Sequence, residues 1–236
     1  MKQRIWELDA LRGLCVLGMV VIHLVYDLVE LYGFLDWEYP AIYSFVQNWG
    51  GVLFLLISGI CVTLGSRCVR RGLIVFACGL LVTAVTAGMF FLDMADRSIL
   101  IYFGVLHCLG ICMLLWPVFR RLPVWVLAAV GTVFAAAGLL LRGVTVEHFW
   151  LVPFGIVFPG FASSDYFPLL PHLGFFLLGA FLGKILYREK RSLLPGISPN
   201  NPLLRFLQLC GKHSLWIYLL HQPFISVVCY LILLIR

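Results

Sequence analysis

The sequence predicts an all-α protein, a polytopic membrane bundle of about seven transmembrane helices. Three observations lead there. Of 236 residues, 62% are hydrophobic and 12% charged, and with a mean hydropathy of +1.02 too little polar surface is left to clothe a soluble fold. The apolar residues gather into runs of about 20, the helical length that crosses a hydrocarbon core of about 30 Å. Lysines and arginines cluster between alternate runs, the pattern that sets orientation.

The runs, in order, are 8–32, 40–66, 72–92, 98–118, 122–141, 168–187 and 213–235. The first carries Arg12, His23 and Asp27 and lacks a small-residue cleavage site, so it is expected to remain as a span and not to be removed as a signal peptide. The second holds the polar residues Gln47, Asn48 and Ser58, with Gly50, Gly51 and Gly59 to admit a close neighbour. Tyr102 and His107 fall in the fourth, His172 near the outer end of the sixth, and His221 in the seventh. His148 to Phe161 is apolar but short and broken by Pro153, Gly155, Pro159 and Gly160, so it reads as interfacial or re-entrant. Arg188 to Lys212, with Pro195, Pro199 and Pro202, reads as a basic cytoplasmic loop near lipid head groups.

With the N-terminus cytoplasmic, the inner segments hold Lys2, Arg4, Arg67, Arg70, Arg71, Arg120, Arg121, Lys184, Arg188, Lys190, Arg191, Arg205 and Lys212, and the outer segments only Arg97, Arg142 and Arg236. The C-terminus then lies outside, and residues 1–236 form a single domain in the plasma membrane. The net charge of +6 forms no continuous stripe, so no nucleic-acid partner is expected. Eight cysteines include no Cys-x-x-Cys pair; each reads as a small packing residue, and neither a disulfide nor a metal site is expected.

Titratable groups inside a span are costly, so each is a functional candidate. Arg12 and His23 are eleven residues apart, three helical turns plus about 20°, and project from one face about 16 Å apart along the axis. That spacing suits a ligand anionic at one end and reactive at the other, such as an acyl-coenzyme A. A guanidinium matches phosphate oxygens. An imidazole is the common base for deprotonating a hydroxyl or amine. Asp27, one turn beyond His23, is expected to accept a hydrogen bond from its distal ring nitrogen and fix the tautomer. His107, Asn48 and His221 are weaker candidates for lining the site or stabilising an oxyanion, and Ser58, Tyr102 and His172 are further polar groups able to meet a ligand.

Glu7-Leu8-Asp9-Ala10-Leu11-Arg12-Gly13, with His23 after ten intervening residues, resembles the arginine-x10-histidine signature of acyltransferase family 3. Gly51 to Gly59 resembles that family's second-helix motif, and Gly211 to Pro223 the last helix of the wider superfamily. With Tyr102 to His107 and Asp165 to Pro171 in place, the chain is most similar to bacterial proteins grouped with the heparan-α-glucosaminide N-acetyltransferase catalytic domain. The resemblance implies acyl transfer from cytosolic acetyl-CoA (or another acyl-CoA) to an outer acceptor, with His23 as the family histidine and Arg12 as the coenzyme-contacting arginine; the residues themselves add Asp27 as catalytic beside His23, Ser58 on the coenzyme, and Asn48, Tyr102, His107, His172 and His221 toward the acceptor. The lysosomal heparan enzymes carry their catalytic histidine in the loop after the first helix; Leu24 to Pro40 holds none, which gives the role here to His23.

The expected function is therefore transfer of an acyl group, acetyl above all, to a hydroxyl or amine of an envelope glycan or small molecule, with membrane lipids as surroundings and self-association left open. The rival is a proton-coupled transporter using the same histidines as a relay. A retinal pigment is unlike this chain, because the last span holds no lysine.

Overall fold

Residues 4–235 are described by a computed structural model. Lys2 and Arg236, counted in the charge pattern, lie outside them. The named elements are all helices: α1 Trp6–Tyr26, α2 Ala41–Leu64, α3 Cys68–Phe91, α4 Val105–Phe119, α5 Val124–Leu140, α6 Leu169–Leu186, α7 Pro202–Lys212 and α8 Ser214–Ile235. α1 widens into a π-helical turn, Asp27–Leu31, and short 3-10 turns occupy Arg97–Ile99 and Phe149–Phe154. Extended pairing among the described residues is limited to isolated bridges, Phe103 with Tyr166 and Thr145 with Val157.

Among the described residues, five helical stretches are long and apolar enough to cross a membrane: Trp6–Leu31, Ala41–Leu64, Cys68–Phe91, Leu169–Leu186 and Ser214–Ile235. Helix is the form such segments take because lipid offers their backbone no hydrogen-bond partner. α4 and α5 are apolar but have 15 and 17 residues, about 22 and 26 Å of helix against a core of about 30 Å. The fourth run corrects most. Helix begins only at Val105, because Gly104 is extended and residues 100–104 form a loop, so Tyr102 is not helical and His107 stands in the first turn of α4, not at its middle. The segment read as a basic loop contains α7. Its start follows from Asn201, whose side chain accepts from the Leu203 amide at 2.9 Å, and from Pro202 in the first turn.

The chain divides into two compact units. The first comprises residues up to Phe54 and from Glu189 onward. There α7 crosses α1 at glycine: the Cβ positions of Gly13 and Gly211 are filled by the backbone carbonyls of Leu207 and Asp9, so the two helices touch backbone to backbone. Glu7, 6% exposed, accepts from the Leu193 amide at 2.8 Å and the Ser192 hydroxyl at 2.9 Å. Arg12 meets Ser214, His23 meets His221, Asp27 meets Gln222 and Tyr32 meets Ser226. These pairs climb both helices together, so α1 and α8 run in the same direction.

The second unit is Leu55–Arg188. α6 packs against the C-terminal half of α2 through Gly59, which meets the Phe176 carbonyl, and Gly179, which meets that of Leu56. Glycines likewise seat α3 on α4 and α5 on α6. The loops before α4 and α6 are tied together. Phe167 donates its amide to the Phe103 carbonyl at 2.9 Å, and the Val105 amide donates to Asp165 at 3.0 Å.

Candidate functional site

The first unit gathers Arg12, His23, Asp27 and His221 along the seam of α1 and α8. α1 sets the spacing by its regular pitch over Trp6–Tyr26, and α8 covers the same face. Arg12 donates from Nη2 to the Ser214 hydroxyl at 2.8 Å. Its Nε is buried without a hydrogen-bond partner among the described residues. A guanidinium carries five donors, so this one retains capacity for an anion.

Higher on the seam, the rings of His23 and His221 stand 4.9 Å apart, centre to centre, inclined at 61°. His221 Nδ1 lies 2.6 Å from the Tyr218 carbonyl. A carbonyl only accepts, so Nδ1 carries the proton and Nε2 keeps a lone pair in the neutral ring. That Nε2 is buried with no hydrogen-bond partner among the described residues.

Asp27 departs from expectation. It is 2% exposed and accepts from Gln222 Nε2 at 2.7 Å, and its side chain makes no hydrogen bond with His23. Its backbone is still regular helix, with the amide on the His23 carbonyl, but its carboxylate turns to Gln222 of α8. The orienting role assigned to it from the one-turn spacing is thus not seen. Asn48 is exposed and donates to the Ser44 carbonyl of its own helix at 2.7 Å, a local bond that leaves it off the seam.

The remaining candidates belong to the second unit. Ser58 is buried beside Gly59 where α2 meets α6. Tyr102 packs between Phe158 and Phe161. His107, 3% exposed, accepts from the Gly104 amide at Nδ1 over 3.2 Å, and its Nε2 is 3.4 Å from the Thr83 hydroxyl, which itself donates to the Ile101 carbonyl. Both ring nitrogens are engaged inside the protein, so His107 acts as a clasp on the α4 start and has no lone pair to offer a ligand. His172 is bound through Nδ1 to the Pro168 carbonyl at 2.7 Å, within the start of α6. The segments Tyr102 to His107 and Asp165 to Pro171, far apart in sequence, are the two that meet through Phe103, Tyr166 and Phe167.

Sequence reasoning passed over Ser214, Tyr218 and Gln222 as individuals. The signal was available: all three lie within Gly211 to Pro223, one to three residues from a histidine or lysine.

Among known families, the one described as "Heparan-alpha-glucosaminide N-acetyltransferase, catalytic" matches residues 4–223. No curated protein and no solved structure matches the chain.

Proposed function

The chain belongs to the heparan-α-glucosaminide N-acetyltransferase catalytic family, and on that premise we propose that this membrane acetyltransferase takes its acyl group from cytoplasmic acetyl-CoA. The acceptor in this reading is a hydroxyl or amine of an extracytoplasmic glycan or small molecule. The observation that carries it is the shared seam: α8 covers the face of α1 that holds both Arg12 and His23.

Arg12 binds coenzyme phosphate through the donors that Ser214 does not use. The pantetheine arm then runs along the seam for about 16 Å and brings the thioester to His23. His23 accepts the acceptor's proton as its oxygen or nitrogen attacks the thioester carbon. The carbon–sulfur bond breaks, the electron pair leaves on sulfur, and the imidazolium returns the proton to the thiolate. Asp27 and Gln222 hold the outer end of the seam closed, and His221 stands beside the reacting ring. The seam lies wholly within the first unit, and no step is assigned to Ser58, Tyr102, His107 or His172.

Counting α4 and α5 as spans gives seven, with the N-terminus cytoplasmic and the C-terminus outside. The parallel course of α1 and α8 supports that arrangement. We place this single acyltransferase domain in the plasma membrane among its lipids.

Release of coenzyme A by protein purified into nanodiscs, with a panel of sugars and amines as acceptors, tests the reading. Turnover is expected, and His23→Ala should lower it about 10²–10⁴-fold, the usual worth of a general base. Proton flux across proteoliposomes without thioester cleavage would instead establish the transporter.

A further inference from the structure

The base assigned above lacks the partner that an imidazole base needs. A neutral histidine works when one nitrogen keeps a lone pair toward the substrate and the other holds its proton against a fixed acceptor. Asp27 does not serve, since its carboxylate faces Gln222. Beside His23 lies the buried Nε2 of His221, without a hydrogen-bond partner among the described residues, whose own tautomer is set by the Tyr218 carbonyl.

Distance favours this partner. An N–H···N bond of about 2.9 Å between two imidazoles puts their centres about 5 Å apart, and these rings stand at 4.9 Å. The rings now meet at an inclination of 61°, and a turn of the His23 side chain is the motion the proposed bond calls for. A buried acceptor left unpaired is unfavourable, which favours that rotation when the seam closes on a ligand.

Resting on the acyltransferase reading, we infer that His221 is the positioning residue of His23: its Nε2 accepts the His23 N–H and thereby turns the other nitrogen of His23, with its lone pair, toward the acceptor. The relay runs from the Tyr218 carbonyl through His221 to His23. When His23 takes the acceptor's proton, the second proton stays shared with His221, and the first is returned to the departing thiolate as the carbon–sulfur bond breaks. No proton is gained or lost overall.

The test compares wild type, His221→Leu and His221→Gln in nanodiscs. His221→Leu should lower kcat for coenzyme A release at least about 100-fold while KM for acetyl-CoA stays within about twofold, because Arg12 is untouched. His221→Gln, which restores an acceptor oxygen, should recover about tenfold or more of that loss. Nitrogen-15 spectra of histidine-labelled protein read the cause directly: His23 should hold one tautomer in wild type with acetyl-CoA bound and a mixture in folded His221→Leu. Turnover of His221→Leu equal to wild type overturns the inference and leaves the acyltransferase reading intact. So does an unchanged His23 tautomer in that variant, or failure of His221→Gln to recover activity. A wild type that cleaves no thioester overturns the acyltransferase reading itself, and this inference falls with it.

Discussion

Arg12 has one donor on Ser214 and a buried Nε with no partner among the described residues. Charge-assisted hydrogen bonds contribute about 1.5–3 kcal/mol each, so Arg12→Ala should raise KM for acetyl-CoA about 10- to 100-fold with kcat little changed, as read by initial-rate kinetics. Arg12→Lys should recover only part, since an ammonium cannot bind phosphate through a fork. His107 makes the opposite case. With both nitrogens taken up by Gly104 and Thr83, His107→Ala should leave KM for either substrate nearly unchanged and lower thermal stability, by about 2 kcal/mol given the modest worth of hydrogen bonds inside membranes. Outside the spans, Tyr166 donates its hydroxyl to the Val152 carbonyl at 2.7 Å, and burial pushes its pKa up to about 12. A tyrosine so raised favours folding below its ordinary pKa of about 10, and that contribution fades as pH climbs from about 10 to about 12. Tyr166→Phe should therefore flatten the alkaline limb of a thermal-stability profile.

Helix boundaries followed from hydropathy wherever lipid dictates the backbone, as at Ala41–Leu64, Cys68–Phe91 and Ser214–Ile235, each within four residues of the run read from the sequence. α4 and α7 were harder because different physics sets them. Hydropathy cannot see that Gly104 is extended and capped from His107, so residues 98–104 looked like helix. α7 is amphipathic and proline-led, and its buried side is backbone and glycine more than large apolar side chains. The site divides the same way. Helical pitch foretold that Arg12 and His23 share a face, but pitch along one helix cannot show that Gln222 of another takes the Asp27 carboxylate, and with it went the group expected to orient the base. The α1–α7 crossing gives a test at this scale. Gly13→Leu drives a side chain into the Leu207 carbonyl, so α7 should come away from α1, which faster thiol labelling of the buried Cys210 of α7, in a background with the other cysteines replaced, would report.

Over the whole chain, the charge asymmetry and the parallel course of α1 and α8 make one prediction about placement. Membrane-impermeant thiol labelling of single cysteines introduced at Arg70, Arg121 and Lys190 should proceed only from the cytoplasmic side. Cysteines at Asp96 and Glu147 should label only from outside. The alternation depends on α4 and α5 both crossing despite their 15 and 17 residues. If α4 stayed in one leaflet, Arg121 would change sides relative to Arg70, and if α5 did, Glu147 would share the side of Arg121. Short spans of this kind are accommodated by local thinning of the bilayer, so activity reconstituted in lipids of increasing chain length should fall once the bilayer outgrows them.

The grip of Glu7 on Ser192 and Leu193 makes the linker ahead of α7 a gauge of the opening turn of the chain. A protease added to sealed inside-out vesicles should clip residues 189–201 slowly in the native protein. Glu7→Gln removes the charge from both bonds and should hasten that clip without altering the linker's own sequence. Ligands that seat the coenzyme end of the seam more firmly should retard it, so digestion rate becomes a way to detect occupancy before any acceptor is known.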